Sequence, residues 1–579
     1  MRLHSRDLLR AFALADGPET RHGHLYSLPA LEANGIGRVS RLPVCLRMIL
    51  ESLLRHLDGP HVSERHVLHL AYWQPRGWRS ERIPLIASRV VLQETSVLPL
   101  LCDLATLRDA AARSGRSPER IEPLVPVDVT ATLPERRATR TDPEFRHLMD
   151  WAAQAFEQLR VLPAGVCTGQ RALLERQGVH FPETLIGTEP RLARVNAFGM
   201  IGCIVSDLEA EAAMFGQPVR IPVPDVIGVH LHGRMDAAAS ADDLRLCLGA
   251  RLGRVSVQGQ LVEFFGEGAE SLSLPERATV ADMAAVHGAR AGFFAPDEAT
   301  AAWRALAGCR ADEVETFRRY FQSQQLWGAP RPGDIDYSQV LEFDLAEVRP
   351  GTARLSRRQH RLHCPGSMPQ PRADLPAPRQ DVGMPAGPTW IWSEDSTRIV
   401  RSAFVDDTDP NRPGLLPIED ARALLVPGGD QTSMRAAAQA CRDQGAALII
   451  FAGTNYGAGA SAGQHGAAKT LRALGVSAVV AVSFDPDHRA DLVAMGVLPL
   501  QFSPGNCARE LGLQGHERFD LISLQQPLVL RQQVLLRVHR ADRTTVECQL
   551  LLCIDTPAEL AYLRPGGLLP FLLKQLLAD

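Results

Sequence analysis

The sequence predicts an α/β protein of layered strands and helices, and three observations carry that reading. Short apolar segments suited to buried strands alternate with segments of helical periodicity through most of the first 350 residues. The apolar run at 446–452 leads into a glycine-rich turn where a helix should begin, followed by a further strand and helix. At 579 residues the chain is too long for one core, and its 45% hydrophobic and 22% charged residues are those of an ordinary globular protein.

In chain order, residues 24–59 read as a turn-rich entry and then an amphipathic helix from about Leu42, with Cys45, Ile49, Leu53 and Leu57 on one face. A short helix at 61–73, a strand RVVLQ and a helix LPLLCDLATLRDAAA follow. LVPVDV and GMIGCIV read as strands on either side of a helix at 142–159, and residues 221–310 (PDVIGVHLHG, RVSVQGQLVEFFG) as an extension of the same sheet system. Residues 364–390 carry seven prolines and almost no periodicity, the pattern of a semi-rigid solvated linker. The expected organisation is therefore an N-terminal unit at 1–363, a linker at 364–390 and a second compact unit at 391–579. That second unit should hold the strand–turn–helix block, an antiparallel pair (VLLRVHRA, TTVECQLLLCID) around Asp542 and Arg543, and a closing helix LPFLLKQLL.

A formal charge of -4 gives no footprint for nucleic acid or an anionic membrane surface. No apolar run of membrane-spanning length is present, and the opening residues lack the apolar core of a signal peptide. Eleven cysteines, mostly inside apolar runs, point to reduced buried thiols and hence to the cytoplasm. No C-x-x-C occurs.

Gly453, Gly457, Gly459 and Gly463 open the helix after 446–452. Glycines there let backbone N–H groups approach an anion at a helix N-terminus, or simply permit a tight strand-to-helix turn.

Taken together, YSLPALEANGIGRVSRLPVCLRMILESLLRHLDG, RVVLQETSVLPLLCDLATLRDA, LEAEAAMFGQPVRIPVPDVIGVHLHG, LVEFFGEGAESLSLPERATVADMAAVHGARAGFF, FDLAEVRP and GVSAVVAVSFDPDHRADLVAMGVLPLQF resemble the aconitase family in its longer cytosolic and bacterial form. The resemblance covers most of 24–350 and 398–579. It implies aconitase-like layered α/β domains, a C-terminal swivel domain, and an active site in the cleft between them. It also implies reversible dehydration and rehydration of a tricarboxylic acid at a four-iron cluster.

Departures from the family pattern narrow what carries over. The family's Cys-Thr-Asn and Cys-x-x-Cys segments are replaced by the proline-rich stretch, where Cys364 is the one thiol, so no family-type iron–sulfur cluster or other cofactor is expected. Thr132 and Leu133 stand where the family has Asp-His, and Gln170 and Arg171 where it has His-Gln. Glu189, Pro190 and Arg191 stand where it has Asp-Ser-His. The turn Tyr456-Gly457-Ala458-Gly459-Ala460-Ser461-Ala462 keeps one hydroxyl of the family's Tyr-Gly-x-Gly-Ser-Ser-Arg and loses its arginine, and Ser393 stands near the place of another.

Gln93, Thr188, Asn196, Glu263 and Arg489 persist at family positions. Glu263 reads either as a site carboxylate or as one holding the following turn, and Arg489 as a family position or a pair within its helix. Ser461, Glu189, His465 and Glu263 are the candidate catalytic residues. Gln93, Thr188, Arg191, Asn196, Gly457 and Gly459 are the candidates for binding substrate, with Cys167 a further candidate. The expectation is a cluster-independent lyase or isomerase acting on a small di- or tricarboxylic acid. The alternative is an inactive relative that binds a carboxylate metabolite or a protein partner. No nucleic acid or membrane is expected as partner, and a separate chain supplying the absent domain stays open.

Overall fold

In a computed structural model of the chain, the described residues are 3–14, 21–77, 79, 82–93, 97–130, 143–162, 172–352, 400–404, 422–424, 431–433, 447–457, 466–508, 510–513, 517–524, 528–540 and 542–578. The chain divides into two compact units, Met1–Leu101 with Glu122–Leu375, and Cys102–Ile121 with Pro376–Asp579.

The first unit is organised around two parallel sheets. One has the order β10-β9-β4-β5-β6 and consists of β4 (Arg89–Gln93), β5 (Val127–Thr130), β6 (Leu159–Leu162), β9 (Thr184–Gly187) and β10 (Ile201–Ile204), every pairing parallel. Val90, Val91, Leu92, Val127, Val129, Leu185 and Ile186 are all buried, as in a sheet covered on both faces. The other has the order β14-β13-β12-β15, from β12 (Val226–His232), β13 (Leu261–Phe265), β14 (Ala291–Phe294) and β15 (Gln339–Asp344), again all parallel.

This corrects the expectation that residues 221–310 extend the first sheet. Val226–His232 finds both its neighbours in later segments, so these strands close a sheet and a core of their own around Val229, Leu231, Val262 and Phe264. In RVSVQGQLVEFFG the extended run starts only at Leu261, because Gly259 turns at φ +70°. Two small sheets flank these: β1 (Leu9–Ala13), β2 (His22–Tyr26), β7 (Leu173–Arg176) and β8 (Val179–Pro182) in one, β3 (Arg82–Leu85) with β11 (Val219–Pro222) in the other.

The helix Val44–Arg55 lies within the segment read as amphipathic, and its expected apolar face is buried. The opposite face is buried as well, Arg47, Glu51 and Ser52 included. Polar partners make this tolerable: Arg47 Nη1 donates to Gln325 O at 2.8 Å, and Glu51 lies 3.5 Å from Arg55 Nε. The other expected helices appear with shifted ends, at Glu64–Ala71, Val97–Arg113, Pro143–Ala155 and Leu568–Leu576.

The second unit contains a closed barrel in the order β16-β19-β20-β21-β24-β23-β22. Its strands are β16 (Val400–Phe404), β19 (Ala447–Ala452), β20 (Val476–Ala481), β21 (Leu498–Phe502), β22 (Arg518–Ile522), β23 (Gln533–His539) and β24 (Thr545–Leu552). A separate pair joins β17 (Arg422–Leu424) to β18 (Gln431–Ser433). The antiparallel pair expected around Asp542 is β23 with β24, and Asp542 closes the turn by accepting from Thr544 N at 2.9 Å. Phe451, Val480, Leu500, Phe519, Val534, Leu536 and Leu550 fill the barrel. Among the described residues no helix is long and apolar enough to cross a membrane.

Candidate functional site

In an open parallel sheet, ligands bind beyond the carboxyl ends of the strands where the winding direction reverses. In the first sheet β5 and β6 run outward on one side of β4, and β9 and β10 lie on the other, so the reversal falls between β4 and β9. Gln93 ends β4, Thr130 ends β5 opposite it in register, and Thr188 and Glu189 follow β9. Four of the residues singled out from the sequence (Gln93, Thr188, Glu189, Arg191) are thereby gathered at one edge.

Glu189 is the best-defined member. It is 8% exposed and caps the 3₁₀ helix Pro190–Ala197, its Oε1 accepting from Arg191 N at 3.1 Å. Its Oε2 lies 3.1 Å from Thr130 Oγ1, which stands 3.1 Å from Leu92 O as well. One hydroxyl hydrogen thus faces two acceptors, Leu92 O and Glu189 Oε2. Thr188 N donates to Val91 O at 3.2 Å, which continues the ladder past β9 and fixes where Glu189 emerges. The Arg191 side chain is exposed, and Gln93 is half-buried. Thr130 escaped the sequence reading; the available signal was a hydroxyl at the last position of a buried parallel strand.

Asn196 and Glu263 serve the framework. Asn196 is fully buried, with Nδ2 donating to Ala193 O (3.0 Å) and Gly202 O (3.1 Å) and Oδ1 accepting from Gly202 N (2.7 Å), which pins the 3₁₀ helix to β10. Glu263 lies mid-strand in β13 of the other sheet, fully buried, and accepts from Val44 N (3.1 Å), Cys45 N (2.8 Å) and Tyr337 Oη (2.8 Å). It thus caps the helix Val44–Arg55, whose own N-cap, Pro43, offers no side-chain acceptor. Burial and this carboxylate together push the Cys45 thiol well above its ordinary value.

In the second unit Arg489 is buried and donates to Glu559 from both Nη atoms (3.1 and 2.7 Å) and to Cys553 O at 2.8 Å, a bidentate tie between helices. Gly457 has φ +94°, and a Cβ there would lie 2.4 Å from His488, so the His488 ring alone requires glycine at that position. Gly459, Ser461 and His465 lie outside the described residues, as do Thr132, Leu133, Cys167, Gln170, Arg171, Cys364 and Ser393.

A parallel sheet open at its edges, carrying a buried carboxylate, hydroxyls and an exposed guanidinium at its switch point, in one chain with a closed-barrel unit, defines an α/β protein with one candidate site at that edge. More particularly, the chain belongs to the aconitase family: the model of the Aconitase family (aconitate hydratase) matches residues 62–390, and that of the Aconitase C-terminal domain matches 418–505. It is 35% identical over 363 residues to aconitate hydratase A of Bacillus subtilis, covering 58% of this chain and 40% of that one. The figures are 34% over 369 residues for the Escherichia coli enzyme (59% and 41%) and 36% over 369 residues for that of Thermus thermophilus (58% and 40%). These matches span about two fifths of the relatives' length. Among solved structures, a 3-isopropylmalate dehydratase from Methanocaldococcus jannaschii aligns at 17% identity with a TM-score of 0.19, over 31% of this chain and 93% of that one.

A family-type iron–sulfur cluster needs three thiolates converging on one point. Among the described residues no three cysteines do so, and all eight described cysteines are free thiols. These residues do not fit the group.

Proposed function

We propose that this aconitase-family chain acts on a small di- or tricarboxylic acid by acid/base elimination or isomerisation, without a family-type cluster, at the carboxyl edge of β4, β5 and β9. The observation that carries the reading is the Glu189–Thr130 contact at the switch point. Glu189 is buried and adjoins the Thr130 hydroxyl, within reach of a substrate seated at the switch point, as a general acid or base must be. Arg191 would grip a substrate carboxylate, with charge-assisted hydrogen bonds worth about 1.5–3 kcal/mol each. Gln93 and Thr188 would fix its orientation. Free thiols fit a reducing cytoplasm as the place of action.

The second reading, a carboxylate-binding protein without turnover, is favoured by Asn196 and Glu263, whose polar atoms are spent on backbone and tyrosine partners. A thermal-shift screen of di- and tricarboxylates, followed by NMR turnover assays on the hits, separates the two. Enzymatic function requires that Arg191→Gln weakens binding and that Glu189→Gln abolishes turnover with binding kept. Binding through Arg191 with no turnover leaves the second reading. Hits unaffected by Arg191→Gln would remove this edge as the site.

A further inference from the structure

The 3₁₀ helix Pro190–Ala197 carries more than Arg191. Helices of this type are usually short, and eight residues of one need support from outside. Gly202 on β10 gives it room, since a Cβ there would come 2.6 Å from Val195 Cγ2 and 2.8 Å from Leu192 O. The Asn196 amide, bound to Ala193 and Gly202, ties its last turn to the same strand. The rotation of the helix about its own axis is therefore fixed, and with it the side that faces solvent.

That side presents two residues. From 191 to 197, Leu192, Ala193, Val195, Asn196 and Ala197 are buried, whereas Arg191 and Arg194 are exposed. Side chains three apart eclipse in a 3₁₀ helix, and its rise of about 2.0 Å per residue sets the roots of the two arginines about 6 Å apart on one ridge. An α-helix over the same residues would turn the second away from the first by about 60°.

Asp282, on the helix Leu274–Val286, answers the charge of Arg194. Its Oδ2 accepts from Arg194 Nε at 3.1 Å and from Nη2 at 2.9 Å. One carboxylate oxygen thus takes one edge of the guanidinium, which leaves the Nη1–Nη2 edge for a second carboxylate. With Arg194 46% exposed, this ion pair adds little to stability; what it does is set the direction of the guanidinium. Two guanidiniums on one ridge beside the buried Glu189 carboxylate offer two planar forks to a single molecule.

We propose that Arg194, oriented by Asp282, is a second carboxylate-binding residue of the Glu189 site, so that the ligand carries at least two carboxylates on a short carbon chain, one for each arginine. The proposal rests on the reading that Arg191 grips a carboxylate there.

The test is ligand-observed NMR titration of the full chain with the straight-chain dicarboxylates from malonate to adipate, the tightest serving as probe and its monoamide as the one-armed counterpart. Arg194→Gln should weaken the dicarboxylate about tenfold or more and leave the monoamide unchanged. Arg191→Gln should weaken both. Equal loss of the two ligands in Arg194→Gln would make Arg194 a structural residue and overturn the proposal. Arg194→Gln also leaves Asp282 without its counter-charge, so the variant is paired with Arg194→Gln/Asp282→Asn, in which the loss should persist. Recovery of wild-type affinity in that double variant would trace the loss to repulsion by Asp282 and equally overturn it. Weakening by Arg191→Gln with none by Arg194→Gln removes Arg194 alone. No dicarboxylate bound, or none sensitive to Arg191→Gln, removes the edge as a site and this inference with it.

Discussion

Glu51 and His56 show what single side chains owe to burial. Burial pushes the Glu51 carboxyl up to about 7, with Arg55 pulling the other way, and burial, followed by Arg55, pushes His56 down to about 4. For Glu51 the folded value exceeds the ordinary 4.5, so its contribution to stability is present below pH 4.5 and is lost as pH rises through 7. Glu51→Gln should therefore gain about 3 kcal/mol over wild type between pH 4.5 and pH 8 in urea unfolding; a pH-independent difference would show that the carboxyl is not so shifted. His56 has the opposite sign: its contribution is present above 6.5 and disappears as pH falls toward 4. Gly457→Ala forces a side chain into φ +94° against the His488 ring and should destabilise the second unit by about 1–3 kcal/mol, read from its thermal unfolding. The sequence offered an anion site or a tight turn for this glycine, and no local pattern could disclose a ring that arrives from residue 488. Glu189 and Arg191 were legible because they break a recognisable motif. Thr130 was not, because its contacts lie on other elements, and Asn196, singled out as a candidate for binding substrate, gave no sign that its amide is bound to Ala193 and Gly202.

Elements were easier to read than their partners. Periodicity marked the helix at Val44–Arg55 and the strands at Arg89–Gln93 and Gln533–His539, since repeat patterns are local. Which sheet a strand joins is a long-range fact, and Val226–His232 takes one neighbour from more than a hundred positions later. Charge pairing across strands was equally hidden. Near the amino ends of the first sheet, Arg89 donates to Glu183 Oε1 at 2.7 Å and Asp128 Oδ2 at 3.0 Å, and Arg160 donates to Asp128 Oδ1 at 2.7 and 3.0 Å. Glu183 and Asp128 are 0% and 2% exposed. Burial pushes the Glu183 carboxyl up while Arg89 opposes that shift, so the guanidinium keeps two buried charges tolerable. Arg89→Ala should cost about 3–5 kcal/mol in chemical denaturation, because it strands the buried Glu183 carboxylate and leaves Asp128 to Arg160 alone. A loss below about 1 kcal/mol would mean that water or Arg160 replaces the tie.

For the molecule as a whole, the open matter is what chemistry a chain matching about two fifths of its relatives' length can support. Aconitase descent is carried by the sheets and the barrel, whereas a four-iron cluster depends on three thiolates meeting. Thiolate, not thiol, is the ligand form, and positions built for metal favour it. Four of the described cysteines go the other way: burial pushes Cys45 well up, Cys553 to about 11, and Cys102 and Cys548 above their ordinary value. Anaerobic reconstitution with iron and sulfide should therefore leave the chain with no stoichiometric acid-labile sulfide and no cluster absorption. Sulfide is the deciding readout, because iron bound adventitiously to thiols or carboxylates would come without it. Four irons and four sulfides per chain would return the protein to the chemistry of its relatives and withdraw Glu189 from the role of principal acid and base.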